Sequence, residues 1–173
     1  TTGIEDILLK EKPSCIVLYG DTNSTLAGAI AAAKIQVPIV HIEAGLRSYN
    51  KMMPEETNRI LCDHVSTLLF SPTKAGYNNL INEGVRGDHI FVTGTPLKEV
   101  LDYYKNNIMN SNILNIMNLK EKEYILLSCH REENIDIEKN FNELLDSLNF
   151  ICDKYKVPII FSTHPRTRNK IKS

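Results

Sequence analysis

The sequence contains no apolar run approaching the roughly 20 residues that a membrane-spanning helix needs, so no membrane is expected as a partner. It has no excess of either charge. Its 20 Lys and Arg against 21 Asp and Glu leave a formal net charge of −1, which removes the electrostatic case for nucleic acid or an acidic lipid surface. Residues 1–6 lack the basic and apolar regions of a signal peptide, and they lack a starting Met, so a chain cut from a longer one is expected. No two of the cysteines at 15, 62, 129 and 152 form a C-x-x-C pair. Cys15 and Cys129 lie inside apolar strand-like runs, so the expectation is reduced, mostly buried thiols in a cytoplasmic protein rather than a disulfide framework. There is no G-x-S-x-G, no G-x-x-x-x-G-K-[ST] and no G-x-G-x-x-G, which takes support from serine hydrolase, P-loop ATPase and dinucleotide oxidoreductase readings.

What is present alternates in kind. Short β-rich runs at 15–19, 38–42, 68–70, 90–93, 124–129 and 157–162 are separated by stretches of helical period at 24–34, 55–65, 74–83, 97–107 and 137–154. Strand–helix repetition with continuous apolar strands predicts an α/β fold with buried parallel sheets flanked by helices. Ser24 is placed to cap the Ala-rich helix, Pro54 to open the next, and Gly84 to end the one after. Residues 106–122 are rich in Asn and Lys with little periodicity, which predicts a connection between the latter part of one α/β domain (1–105) and the start of a second (123–173).

Ligands of open parallel sheets bind at the carboxyl ends of strands, so the residues just after each run carry the functional argument. Asp21 follows Gly20 where the chain turns into a helix, and on its own it reads as a turn and capping residue. Glu43 follows an apolar strand and precedes Ala44 and Gly45, so its carboxylate is expected in the crevice. Arg47 is placed either to neutralise Glu43, as a buried pair, or to hold an anionic substrate group. His41 with Glu43 lacks an obvious third ligand, so no metal is expected. Glu55 and Arg59 are spaced to share a helix face, as surface pairs do, yet the first-turn glutamates are kept ionised by the helix dipole and Arg59 can reach a phosphate. His130 and His164, each at a strand end, can change charge near neutrality.

The motifs Gly-Asp-Thr-Asn-Ser-Thr-Leu-Ala-Gly (20–28), His-Ile-Glu-Ala-Gly-Leu-Arg-Ser (41–48), Pro-Glu-Glu-Thr-Asn-Arg (54–59), Phe-Ser-Pro-Thr (70–73), His-Arg-Glu-Glu-Asn (130–134) and Thr-His-Pro-Arg (163–166) occur in one order along essentially the whole chain. Together they resemble the non-hydrolysing UDP-N-acetylglucosamine 2-epimerases. The resemblance implies parts of two Rossmann-like domains in a glycosyltransferase-B-like architecture, with a UDP-sugar between them, no cofactor and a homodimeric full-length enzyme. It implies inversion at C2 by elimination and re-addition of UDP. By position, Asp21, Glu43, Glu55, His130 and Arg59 match the catalytic residues, with Asp21 ranked ahead of Glu55 and Glu43 for the C2 proton. Arg47, Asn58, Arg131, Glu133, Asn134 and His164 are the substrate-binding candidates.

The resemblance also implies that N- and C-terminal parts of the family fold lie outside this chain, and the 173 residues alone are expected to be inactive. Residues 94–101 and 130–134 look like relatives acting on UDP-linked deoxy or diacetamido sugars, whereas 43–48 and 53–56 look more like the main branch, so UDP-GlcNAc is the first expected substrate. Two other classes compete: a UDP-sugar glycosyltransferase of the same architecture, and a non-catalytic gene remnant. The acids at 21, 43 and 55 speak against transfer, which needs no base at C2.

Overall fold

The computed structural model describes residues 1–129, 132–163, 167, 168 and 171, with only the backbone described at Glu132 and Glu133. The chain divides into two compact units, Thr1–Tyr104 and Lys105–Ser173.

In the first unit the order is α1 (Thr2–Glu11), β1 (Ile16–Tyr19), α2 (Asn23–Lys34), β2 (Ile39–Ile42), α3 (Pro54–Val65), β3 (Leu68–Ser71), α4 (Lys74–Asn82), β4 (Ile90–Val92) and α5 (Pro96–Tyr103). The four strands form one parallel sheet in sequential order, with Ile16 opposite Ile39, Val40 opposite Leu68 and Leu69 opposite Ile90. Leu18, Ile39, Ala29, Ala31, Ala32 and Cys62 join Leu8 of α1 in one core cluster, and Ala44, Leu69, Leu80 and Ile90 form a second. The small residues of α2 let it lie close on β1. A Cβ on Gly28 would stand 2.9 Å from Leu18 Cδ2, so the absence of a side chain there sets the helix–strand distance.

Several details depart from expectation. Continuous apolar strands predict burial on both faces, but in β1 Leu18 is buried while Val17 and Tyr19 are exposed, so burial there is one-sided. α1 falls outside the predicted elements; its buried residue is Leu8, and Ile7 and Leu9 beside it are exposed, so its apolar period is weak. Thr22, not Ser24, caps α2 and accepts from Thr25 N at 3.2 Å, because the helix begins at Asn23. Pro54 does open α3, and Gly84 at φ +88° follows the last turn of α4. Of the cysteines only Cys62 is buried; Cys15 precedes β1 and is exposed, and Cys129 and Cys152 are half-buried. Burial first, then the charges of Asp63 and Asp21, push the Cys62 thiol up to about 11.

In the second unit two short helices, α6 (Lys105–Met109) and α7 (Ile113–Ile116), fall in the stretch read as a connection. They precede β5 (Ile125–Leu127), α8 (Glu132–Ile135), α9 (Glu138–Tyr155) and β6 (Ile159–Phe161). β5 and β6 pair in parallel, Ile125 opposite Ile159, and the helices between them supply the crossover that parallel neighbours need.

Candidate functional site

The carboxyl ends of β1 and β2 and the start of α3 bring the polar residues of the first unit together. β1 closes on Tyr19, after which Gly20 turns at φ +74° and donates to the Ile42 carbonyl at 3.1 Å. Thr25 Oγ1 donates to the Tyr19 carbonyl at 3.1 Å, which ties the first turn of α2 to the same strand end. Asp21 therefore sits on a short turn held from both sides.

β2 ends at Ile42, and the next residue, Glu43, adopts φ +70°, a left-handed conformation that costs a non-glycine side chain free energy and is found where surrounding structure imposes it. Glu43 Oε1 accepts from the Tyr19 hydroxyl at 3.0 Å. Its Oε2 lies 3.7 Å from where a Cβ on Gly20 would be, so this carboxylate rests against the residue preceding Asp21. Gly45 follows at φ +80°, and a Cβ there would meet the Gly76 carbonyl at 2.3 Å.

α3 supplies the groups that hold these turns. Arg59 pairs with Asp21 Oδ2, and its Nη1 lies 3.0 Å from Glu56 Oε2. Asn58 Nδ2 donates to the Asp21 carbonyl and to Asn23 Oδ1, each at 2.9 Å. Glu56 is buried and accepts from Ser48 N at 2.8 Å, Ser48 Oγ at 3.0 Å and Tyr49 N at 3.0 Å, which fastens the loop between β2 and α3. Burial alone would raise the Glu56 carboxyl, but these donors and the Arg59 charge outweigh it and hold the group below its ordinary 4.5.

Deeper in, His41 Nδ1 is hydrogen-bonded to Asp63 Oδ1 at 2.7 Å, and its Nε2 donates to the Gly20 carbonyl at 2.8 Å. Asp63 Oδ2 accepts from Gly45 N at 3.0 Å and lies 2.8 Å from Arg47 Nη1. The other edge of that guanidinium makes a two-point bond to Glu83, at 2.7 and 2.6 Å. Burial would lower the Arg47 guanidinium, but Glu83 and Asp63 together raise it.

These contacts revise several expectations. Arg47 does not neutralise Glu43, and it is not placed to meet a substrate: its side chain is 1% exposed and it is taken up by Asp63 and Glu83. The chain between Glu43 and Arg47 passes through two left-handed residues, at 43 and 45, before the guanidinium meets Asp63 and Glu83. Arg59 pairs with Asp21 and Glu56 rather than with Glu55, which is exposed and has no hydrogen-bond or ion-pair partner among the described residues. His41 is taken up by Asp63 and Gly20, so it is not available beside Glu43 as a ligand pair. Asp21, Glu43, Asn58 and Arg59 are brought together. In the second unit Asn134 Nδ2 donates to Cys129 Sγ at 3.8 Å. His130, Arg131 and His164, and the Glu133 side chain, lie outside the described residues.

Sequence reasoning did not single out Tyr19, Glu56, Asp63 or Glu83. A signal for two of them was there: 56, 59 and 63 follow i, i+3, i+7 on α3, so three ionisable residues fall on the stripe that an amphipathic helix turns inward.

A family model described as UDP-N-acetylglucosamine 2-epimerase matches residues 1–173. The structure of UDP-N-acetylglucosamine 2-epimerase from Rickettsia bellii is similar at a TM-score of 0.92 and 40% identity, covering 99% of this chain and 45% of that one. The Methanocaldococcus jannaschii UDP-GlcNAc 2-epimerase, solved in complex with UDP-GlcNAc and UDP, is similar at a TM-score of 0.89 and 42% identity, over 99% of this chain and 48% of that one. A Pseudomonas aeruginosa UDP-2,3-diacetamido-2,3-dideoxy-D-glucuronate 2-epimerase is 44% identical over 170 residues, which is 97% of this chain and 47% of its own length. The chain spans about half the length of the curated relatives it matches.

Proposed function

Because the chain belongs to the UDP-N-acetylglucosamine 2-epimerase family, we propose that its strand-end carboxylates serve epimerisation at C2 of a UDP-N-acetylhexosamine, UDP-GlcNAc to UDP-ManNAc. The observation that carries this reading is the pair Asp21 and Glu43 at the ends of adjacent parallel strands, with the Glu43 carboxylate resting against Gly20. Inversion at a carbon needs proton exchange on two faces, and two neighbouring acids supply it.

In the proposed course a carboxylate takes the C2 proton as the C1–O bond breaks and its electron pair leaves with UDP. The 2-acetamidoglucal that remains has a C1–C2 double bond. UDP then attacks C1 again while C2 takes a proton on the opposite face, so only the configuration at C2 changes. Asp21 is the first choice for the C2 proton, aimed by Arg59 and by the Asn58 bond to its own carbonyl. Glu43, and Glu55 at the open start of α3, complete the acids. His130, with Arg131, Glu133, Asn134 and His164, is assigned to the leaving UDP on the family motifs, where positive groups and donors stabilise the departing phosphate.

The same reading takes the working protein as a cytoplasmic homodimer supplying sugar nucleotide for cell-envelope polysaccharide, and takes residues 1–173 alone as without turnover. A UDP-linked diacetamido sugar is the second substrate reading, because the Pseudomonas aeruginosa relative, at 44% identity, is as similar to this chain as the Methanococcus maripaludis UDP-N-acetylglucosamine 2-epimerase. The test is proton NMR of UDP-GlcNAc with the native polypeptide that carries residues 1–173 and no acceptor. New anomeric signals of UDP-ManNAc are expected; conversion of only the diacetamido sugar would select the second reading, and conversion of neither would refute both.

A further inference from the structure

One buried carboxylate, Asp63, touches both of the turns that carry the proposed acids, yet it has no part in the proton exchange itself. Its Oδ1 is hydrogen-bonded to His41 Nδ1, which passes the connection on to the Gly20 carbonyl, and its Oδ2 accepts directly from Gly45 N. Gly20 and Gly45 are the left-handed residues, at φ +74° and +80°, on which the Asp21 and Glu43 turns pivot. The Asp63 and His41 side chains are wholly buried, and the Arg47 guanidinium beside them is nearly so.

Stability is a poor reason for such an arrangement. Taking a carboxylate, an imidazole and a guanidinium out of water carries a desolvation penalty that their mutual attraction often fails to exceed, and a well-packed apolar trio would hold α3 on the sheet as well. What an apolar trio could not do is hold Gly45 N directly, and the Gly20 carbonyl through His41, by hydrogen bonds of fixed direction. Resting on the epimerase reading above, we propose that Asp63 is a positioning residue: through Gly45 N and through His41 it sets the separation and aim of Glu43 and Asp21.

Asparagine has the shape of aspartate but a single acceptor oxygen. At position 63 its NH2 group would face either the Gly45 N–H with Arg47, which then lose their acceptor, or His41 Nδ1, whose bond survives only as a neutral one with the ring proton on Nε2, so one of the two turns loses its bond to the carboxylate. Glu83→Gln is the matched control. It weakens the outer side of the same Arg47 network without touching either turn.

The test compares the two variants in the native polypeptide that carries residues 1–173. Asp63→Asn is expected to lower kcat for C2 exchange of UDP-GlcNAc about 100-fold with KM within about threefold, while Glu83→Gln keeps kcat within about twofold. Equal losses of kcat in both variants, or a loss confined to KM, would overturn the proposal. A second readout needs no turnover: the amide resonances of Gly20, Asp21 and Gly45 should move in Asp63→Asn and stay in place in Glu83→Gln. Absence of exchange in the unmodified protein would sink the epimerase reading alone, and unmoved amide resonances would then sink the positioning role. Should Asp63→Asn fail to fold, His41→Asn, which withdraws the donor to the Gly20 carbonyl, is read by the same kinetic split and the same Gly20 and Asp21 resonances.

Discussion

The Tyr19 hydroxyl donates to Glu43 Oε1 at 3.0 Å, so the side chains that end β1 and follow β2 meet across two adjacent strands. Glu43 is held at φ +70°, and a left-handed non-glycine residue costs about 1–3 kcal/mol. The bond to Glu43 raises the Tyr19 phenol above 10.0, with lost solvation and the carboxylate charge acting in the same sense. Glu43→Gly is therefore expected to leave folding stability within about 1 kcal/mol, since relief of strain offsets the lost contact. It should abolish C2 exchange and bring the Tyr19 ionisation, followed by NMR, back down toward 10.0.

Asp21 is fixed by Arg59, so removing its charge tests chemistry more than placement. Asp21→Asn should lower C2 exchange by at least about 100-fold, the usual worth of a general base, and leave UDP affinity within a few-fold. Exchange kinetics and calorimetric titration with UDP separate the two; equal losses in both would move Asp21 from chemistry to binding.

Glu56 ties the β2–α3 loop to the helix that carries Arg59. Its carboxyl is held below 4.5 in the folded protein, so the stability it contributes is complete above about 4.5 and is lost as pH falls through the lower native value. Glu56→Gln should cost about 2 kcal/mol in urea unfolding at neutral pH. It should also flatten the fall in stability below 4.5, because the charged acceptor is already gone.

The glycines at 45 and 84 have similar backbone conformations, at φ +80° and +88°, but different surroundings. A Cβ at 45 would collide with the Gly76 carbonyl at 2.3 Å, whereas one at 84 meets nothing within 4 Å. Gly84→Ala should cost about 1 kcal/mol, the left-handed penalty alone, and Gly45→Ala at least about 3 kcal/mol. Denaturant midpoints of the two variants measure the difference.

Much of the first unit was legible from the chain because continuous apolar strands and helical periods are local properties. The run at 38–42, the helix opened by Pro54 and the run at 68–70 correspond to β2, α3 and β3. The acids 21 and 43 were legible because each immediately follows such a run. The partners were not. Adjacent glutamates at 55 and 56 lie about 100° apart around a helix, and which one turns inward depends on a rotation set by packing against the sheet. Arg47 bypasses Glu43 for Asp63 and for Glu83, 36 residues further on, because positive φ at 43 and 45 breaks the strand alternation that would have aimed it.

The most direct measurement of the central claim is proton NMR of UDP-GlcNAc in deuterium oxide with the native polypeptide that carries residues 1–173, with no acceptor present. The C2 proton signal should disappear as solvent deuterium enters at that carbon, and the loss should fail in Asp21→Asn. A C2 signal that persists in the presence of folded, UDP-binding protein would contradict the account.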